Sequence, residues 1–89
     1  MASVTYYILT RRLRSQDAAW IARTDEPNLI VFGQGLLSDF TAIKDKTTIY
    51  ALQEEVKETG LVPQYEGKLE LKTGPDLVDL LLGAQLIHL

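Results

Sequence analysis

Few side chains in this sequence are equipped for chemistry, and their spacing narrows the options further. There are no cysteines. Their absence removes disulfides, thiolate zinc sites, iron–sulfur clusters and every thiolate nucleophile. The single histidine, His88, stands next to the last residue. A histidine-rich metal site and any mechanism with two imidazoles are therefore excluded, and His88 beside Ile87 and Leu89 reads as structural. Glu54, Glu55 and Glu58 form a carboxylate cluster. Glycoside hydrolysis needs two carboxylates facing each other across a pocket, whereas these three share one short helix and read as its wet face. Asp79 between Val78 and Leu80 reads as a helix-surface carboxylate. No catalytic residue, metal ligand set or cofactor is assigned.

Two segments are suited to binding. Gly33-Gln34-Gly35 stands between a strand-like and a helix-like segment, where open backbone N–H groups attract anions. A dinucleotide fingerprint would require a third glycine where Ser38 stands, and an acidic residue after the next strand, where Ala51-Leu52 stand. A tight structural turn is the simpler reading, with anion or nucleotide binding as the alternative. Arg11, Arg12 and Arg14 follow the first apolar run. They suit a solvated loop or a contact with an acidic partner. Three arginines are too few for tight binding to a nucleic-acid backbone. Trp20 and the Tyr6-Tyr7 pair match no aromatic RNA-binding pattern.

The elements that must position these segments alternate. Val4–Leu9 is β-branched and aromatic and predicts a strand. A helix capped by Ser15 follows to about Arg23, with Trp20 and Ile21 inward and Asp17 and Arg23 outward. Asn28–Phe32 is a continuously apolar strand, the pattern of a parallel sheet covered on both faces. Leu36, Leu37, Phe40 and Ile43 recur at helical spacing. Thr47–Ala51 is a third strand, and Gln53–Thr59 a charged helix stopped by Gly60. Leu69–Leu71 is a more polar, edge-like strand. Pro75 opens a last helix, with Leu77, Val78, Leu80 and Leu81 inward and Gly83 at its end. Gln85–Leu89 is a final strand. The order βαβαβαβαβ predicts a largely parallel sheet with right-handed crossovers. Functional surfaces of such sheets gather at the strands' carboxyl ends. That rule brings Arg11, Arg12 and Arg14 to the same end as Gln34, Gly35 and Leu36, the six candidate partner contacts.

Composition agrees with one small domain over residues 1–89. Hydrophobic residues make up 46% and charged residues 24% of the chain, ordinary for a globular domain. The net charge of −3 is uneven. Residues 1–24 hold four arginines against one aspartate, and residues 25–89 hold five lysines against eleven carboxylates. That balance argues against direct nucleic-acid binding. No apolar run approaches the ~20 residues of a membrane span, and no secretory leader is visible, so the cytoplasm is the expected compartment.

One stretch resembles a known family. Thr48-Ile-Tyr-Ala-Leu-Gln-Glu-Glu-Val-Lys-Glu-Thr-Gly-Leu61 is similar to the "VYALxEDLxARGL" segment of DsrH/TusB proteins, in the DsrE/F/H superfamily. Leu77-Val78-Asp79-Leu80 resembles that family's "FVDL". Asn28–Leu36 resembles its second strand and "QDGV" turn, with Gln34 in place of the aspartate and Gly35 matching the glycine. The resemblance implies a three-layer α/β/α domain with a five-stranded, mainly parallel sheet, flavodoxin-like in general plan. It also implies work in intracellular sulfur trafficking, beside DsrE/TusD-like and DsrF/TusC-like subunits. Such assemblies pass persulfide sulfur towards tRNA wobble 2-thiouridine or serve sulfur oxidation, and the catalytic cysteine comes from the DsrE/TusD-type subunit. A persulfide carrier needs a thiolate. Without one, this chain is expected to be a non-catalytic subunit, or a self-associating scaffold.

Overall fold

A computed structural model describes residues 4–43 and 47–89. Five strands form one sheet: β1 (Thr5–Leu9), β2 (Asn28–Val31), β3 (Thr48–Leu52), β4 (Lys68–Lys72) and β5 (Gln85–His88). Their order is β4-β3-β2-β1-β5, and every pair is parallel. The uninterrupted apolar strand β2 is the middle one, with Leu29, Ile30 and Val31 buried on both faces. Three α-helices lie between strands: α1 (Ser15–Ala22), α2 (Gln53–Thr59) and α3 (Gly74–Leu81). No helix among the described residues is long and apolar enough to cross a membrane.

The strand order decides how the faces are covered. Right-handed crossovers from β1 through β4 all step in one direction, so α1 and α2 share a face. The connection from β4 to β5 steps back across the whole sheet and puts α3 on the other. Two apolar clusters record this division. The larger joins Tyr7, Leu9, Leu29 and Ile49 of the sheet to Ile21 of α1 and Val56 of α2. The smaller joins Tyr6, Ile30 and Tyr50 to Leu77 of α3. The result is a three-layer α/β/α domain, flavodoxin-like in general plan.

Four expectations are corrected. The helix expected over Leu36–Ile43 is two 3₁₀ helices, Gly33–Leu37 and Thr41–Ile43, with Ser38 extended between them. The side chains of Ser38 and Asp39 bind backbone N–H groups instead of leaving them to a helix. Ser38 Oγ accepts from Leu13 N at 2.8 Å, and Asp39 Oδ1 accepts from Thr41 N at 3.0 Å. Among the described residues three α-helices cover the sheet, not four.

Ser15 is not the cap of α1; the N-cap position is Arg14. Its backbone N–H donates to the Asp17 carboxylate at 3.0 Å. The phase of α1 is also turned: Asp17 is 7% exposed and Trp20 54%. Ion pairing draws Asp17 inward, as described below, and the rotation carries Trp20 out. In α3, Leu77 is buried and Leu80 and Leu81 pack beside it, while Val78 is 61% exposed.

Candidate functional site

The loops expected to meet do meet. At the carboxyl ends of β1 and β2, Phe32 N donates to Leu9 O at 2.9 Å, and Gly35 N to Phe32 O at 2.9 Å. Gly35 lies flat against the end of β1. A Cβ added there would stand 2.6 Å from Leu9 O, far inside contact distance. The Ser38 hydroxyl closes the same junction through Leu13 N. Segment 10–14 and segment 33–38 thus form one surface.

That surface sorts the six candidates. Leu36 is 2% exposed and belongs to the core. Gly35 is buried by the close approach to β1. Neither offers a side chain to a partner; both hold the surface in place. Arg11 is engaged internally: its guanidinium donates to both Asp17 oxygens, at 2.6 and 3.2 Å. Arg12, Arg14 and Gln34 are exposed, with Arg14 Nε 3.8 Å from Asp17. The outward-facing binding groups are therefore two guanidiniums and one amide.

Asp17 organises the basic loop. It takes two bonds from Arg11 and one from Arg14 N. The Arg11 guanidinium is the main reason that its carboxyl lies below the ordinary carboxylate range; burial opposes the shift, and the Arg14 N–H adds to it. A carboxyl with a folded pKa below its unfolded value stabilises the fold above the unfolded pKa, and that contribution is lost as pH falls through the folded one. The loss begins as pH drops below about 4 to 5, near the unfolded aspartate value. Asp17→Asn should lower the melting temperature at pH 7 and narrow its gap to the wild type in acid. Parallel melting-temperature profiles for the two proteins would contradict this assignment.

A cleft of about 330 Å³ opens beside the arginine loop, between α1 and the 3₁₀ segment. Leu13, Arg14, Ala18 and Asp39 line it, with Thr41 and Ala42. Asp39 is tied to Thr41 by N–H and Oγ1 bonds of 3.0 and 2.6 Å, and these bonds hold its carboxyl below the ordinary range. An ionised carboxylate already committed to two donors is a poor base. A hydroxyl nucleophile needs an adjacent base to become reactive.

The glycine turn is also occupied. Glu55 Oε1 of α2 accepts from Gly33 N at 2.9 Å. A carboxylate seated on the turn repels an incoming phosphate and has taken one donor it would use. This observation weighs against the nucleotide alternative. It also removes Glu55 from the solvated cluster, while Glu54 and Glu58 are exposed as expected. Among the described residues, no group of three or more His, Asp or Glu side chains converges to hold a metal ion.

Sequence reasoning missed Asp17, Ser38 and Glu55. Ser38 and Glu55 carry no local signal, because their partners lie 25 and 22 residues away; Asp17 carries one, at the third helical position after the Arg14 N-cap, but its main partner Arg11 lies six residues back. The chain matches no protein-family model, no curated protein and no solved structure.

Proposed function

We propose that this chain is a non-catalytic, cysteine-free subunit of a DsrH/TusB-like sulfur relay in the cytoplasm. It would join DsrE/TusD-like and DsrF/TusC-like subunits and support persulfide transfer towards tRNA wobble 2-thiouridine or sulfur oxidation. The observation that carries the reading is the Thr48–Leu61 resemblance in a chain without a thiol. That segment spans β3, α2 and the left-handed Gly60 that ends α2 (φ +71°). The implied five-stranded α/β/α fold supports it as well. Chemistry then assigns the role. A chain without a nucleophilic sulfur cannot carry persulfide, so its contribution is to complete the oligomer and shape a neighbour's site. Arg12, Arg14 and Gln34 are the contacts it presents, matched to carboxylates of a partner.

Affinity purification of the tagged chain from its native host, with mass-spectrometric identification, tests this. Small cysteine-bearing DsrE/TusD-like and DsrF/TusC-like proteins should be recovered with it. The double variant Arg12→Glu/Arg14→Glu should stay folded by circular dichroism and bind them about tenfold more weakly, a difference near 1.4 kcal/mol. Recovery without any cysteine-bearing partner would overturn the reading.

A further inference from the structure

The two edges of the sheet are built differently. The β4 edge carries Lys68, Glu70 and Lys72 at alternate positions, with Glu70 3.8 and 3.6 Å from the two ammonium groups. Charge of this kind blocks strand pairing at an edge. The β5 edge carries Gln85, Leu86, Ile87 and His88, with no lysine, carboxylate or proline. Gln85 N and Leu89 N donate inward to Val4 O and Ile8 O, each at 2.9 Å. The backbone groups of Leu86 and His88, alternate along the strand, therefore point away from the sheet.

Apolar side chains flank this edge on both faces. On the α3 face, Leu86 is 47% exposed and Leu82 73%, with Val78 one helical turn before Leu82. One eight-residue helix, about 12 Å long, cannot cover a sheet about 19 Å wide, and the β5 side is left open. On the other face stands Trp20. Ser15 and Ala18 of α1 line the cleft shared with Thr41 and Ala42. Residues on a helix are ~100° apart, which puts Trp20 on the opposite flank. That flank is turned away from the 3₁₀ segment and towards β5.

We infer that β5 is the seam of a homodimer, paired antiparallel with β5 of a second copy around a two-fold axis through Ile87. The axis stands perpendicular to the sheet and keeps α1 beside α1 and α3 beside α3. It sets Leu86 of each copy opposite His88 of the other, so the outward N–H and C=O groups of both residues are bonded. A four-residue ladder alone falls short of the ~800 Å² per partner that a stable interface buries. Leu82, Leu86 and Val78 on one face and Trp20 on the other supply the additional apolar area. A second copy fits because the pairing is self-complementary and requires no charged group of a partner. The inference is independent of the relay reading, which uses the carboxyl ends of β1 and β2.

The test is the mass in solution, by sedimentation at micromolar concentrations. The wild type should be a dimer of the 10.0 kDa chain. Leu86→Lys should be a folded monomer, and Leu71→Lys on the β4 edge should remain a dimer. The absence of cysteine permits a second measurement. Facing residues at a non-hydrogen-bonded pair have Cα atoms about 4.5 Å apart, within disulfide reach. Ile87→Cys should form a covalent dimer with a mild oxidant such as copper phenanthroline, and Leu71→Cys should not. A monomeric wild type, a dimer that survives Leu86→Lys, or cross-linking through Leu71→Cys in place of Ile87→Cys would overturn the inference.

Discussion

Phe40→Ala should remove about 3–5 kcal/mol of stability, the usual cost of emptying a fully buried aromatic site. A domain of this length holds roughly 4–13 kcal/mol in total, so the variant should lose about a quarter or more of its stability. Phe40 is the largest of the fully buried side chains. It stands in the extended link between the two 3₁₀ helices and meets the edge of Tyr65, with ring centroids 5.8 Å apart. Tyr65 is itself fixed, donating its hydroxyl to Thr47 O at 2.5 Å. The link lacks the repeating backbone bonds of a helix, so apolar anchoring carries more of its stability. Phe40→Leu keeps most of the buried volume and should cost less than about 2 kcal/mol. Urea unfolding of the three proteins measures both. A loss under about 1 kcal/mol for the alanine variant would show that the link is held by something other than this ring.

Gly35→Val should be nearly as damaging, at about 3 kcal/mol, or a fall in melting temperature of roughly 12–24 °C. The cause is contact, since a Cβ would stand 2.6 Å from Leu9 O and 3.5 Å from Arg11 O. The Leu9 oxygen cannot yield cheaply, because it accepts the Phe32 N–H that joins β2 to β1. Separating the loops would also displace Arg12 and Arg14 from Gln34. Gly33 provides the contrast. Its φ is +55°, and an added Cβ would stand 3.9 Å from Thr10 O, at ordinary contact distance. Asparagine tolerates that backbone region, so Gly33→Asn should change stability by less than about 1 kcal/mol. Equal melting temperatures for the Gly35 and Gly33 variants would refute the close-approach argument.

The sequence by itself determined the chemistry this chain lacks and the plan of its sheet. Counting residues excluded thiolate chemistry and a histidine-rich metal site. The alternation of elements placed four crossovers, with β-branched or aromatic runs marking β1 to β3 and shorter apolar segments marking β4 and β5. Uninterrupted burial of Leu29, Ile30 and Val31 followed from their hydropathy, as did the charged outer edge at β4. The carboxyl-end rule for parallel strands joined the arginine loop to the glycine turn. All of these follow from local periodicity or from rules of chain connection.

Tertiary structure decided what those groups do once they meet. Helical periodicity placed Asp17 outside and Trp20 inside, but an ion pair with Arg11 outweighed a weakly amphipathic eight-residue helix. Apolar spacing suggested a helix through Phe40, but Ser38 and Asp39 used their oxygens on backbone N–H groups. Glu55 looked like one of three solvated carboxylates until the crossover brought α2 beside Gly33. The bare edge at β5 arises because the chain returns across the sheet to lie outside β1. The Arg11–Asp17, Leu13–Ser38 and Gly33–Glu55 contacts join residues that helical or strand periodicity does not relate, and only the Asp39–Thr41 turn is local. A short polar side chain that loses its water on folding takes whatever donor the packed strands bring within reach.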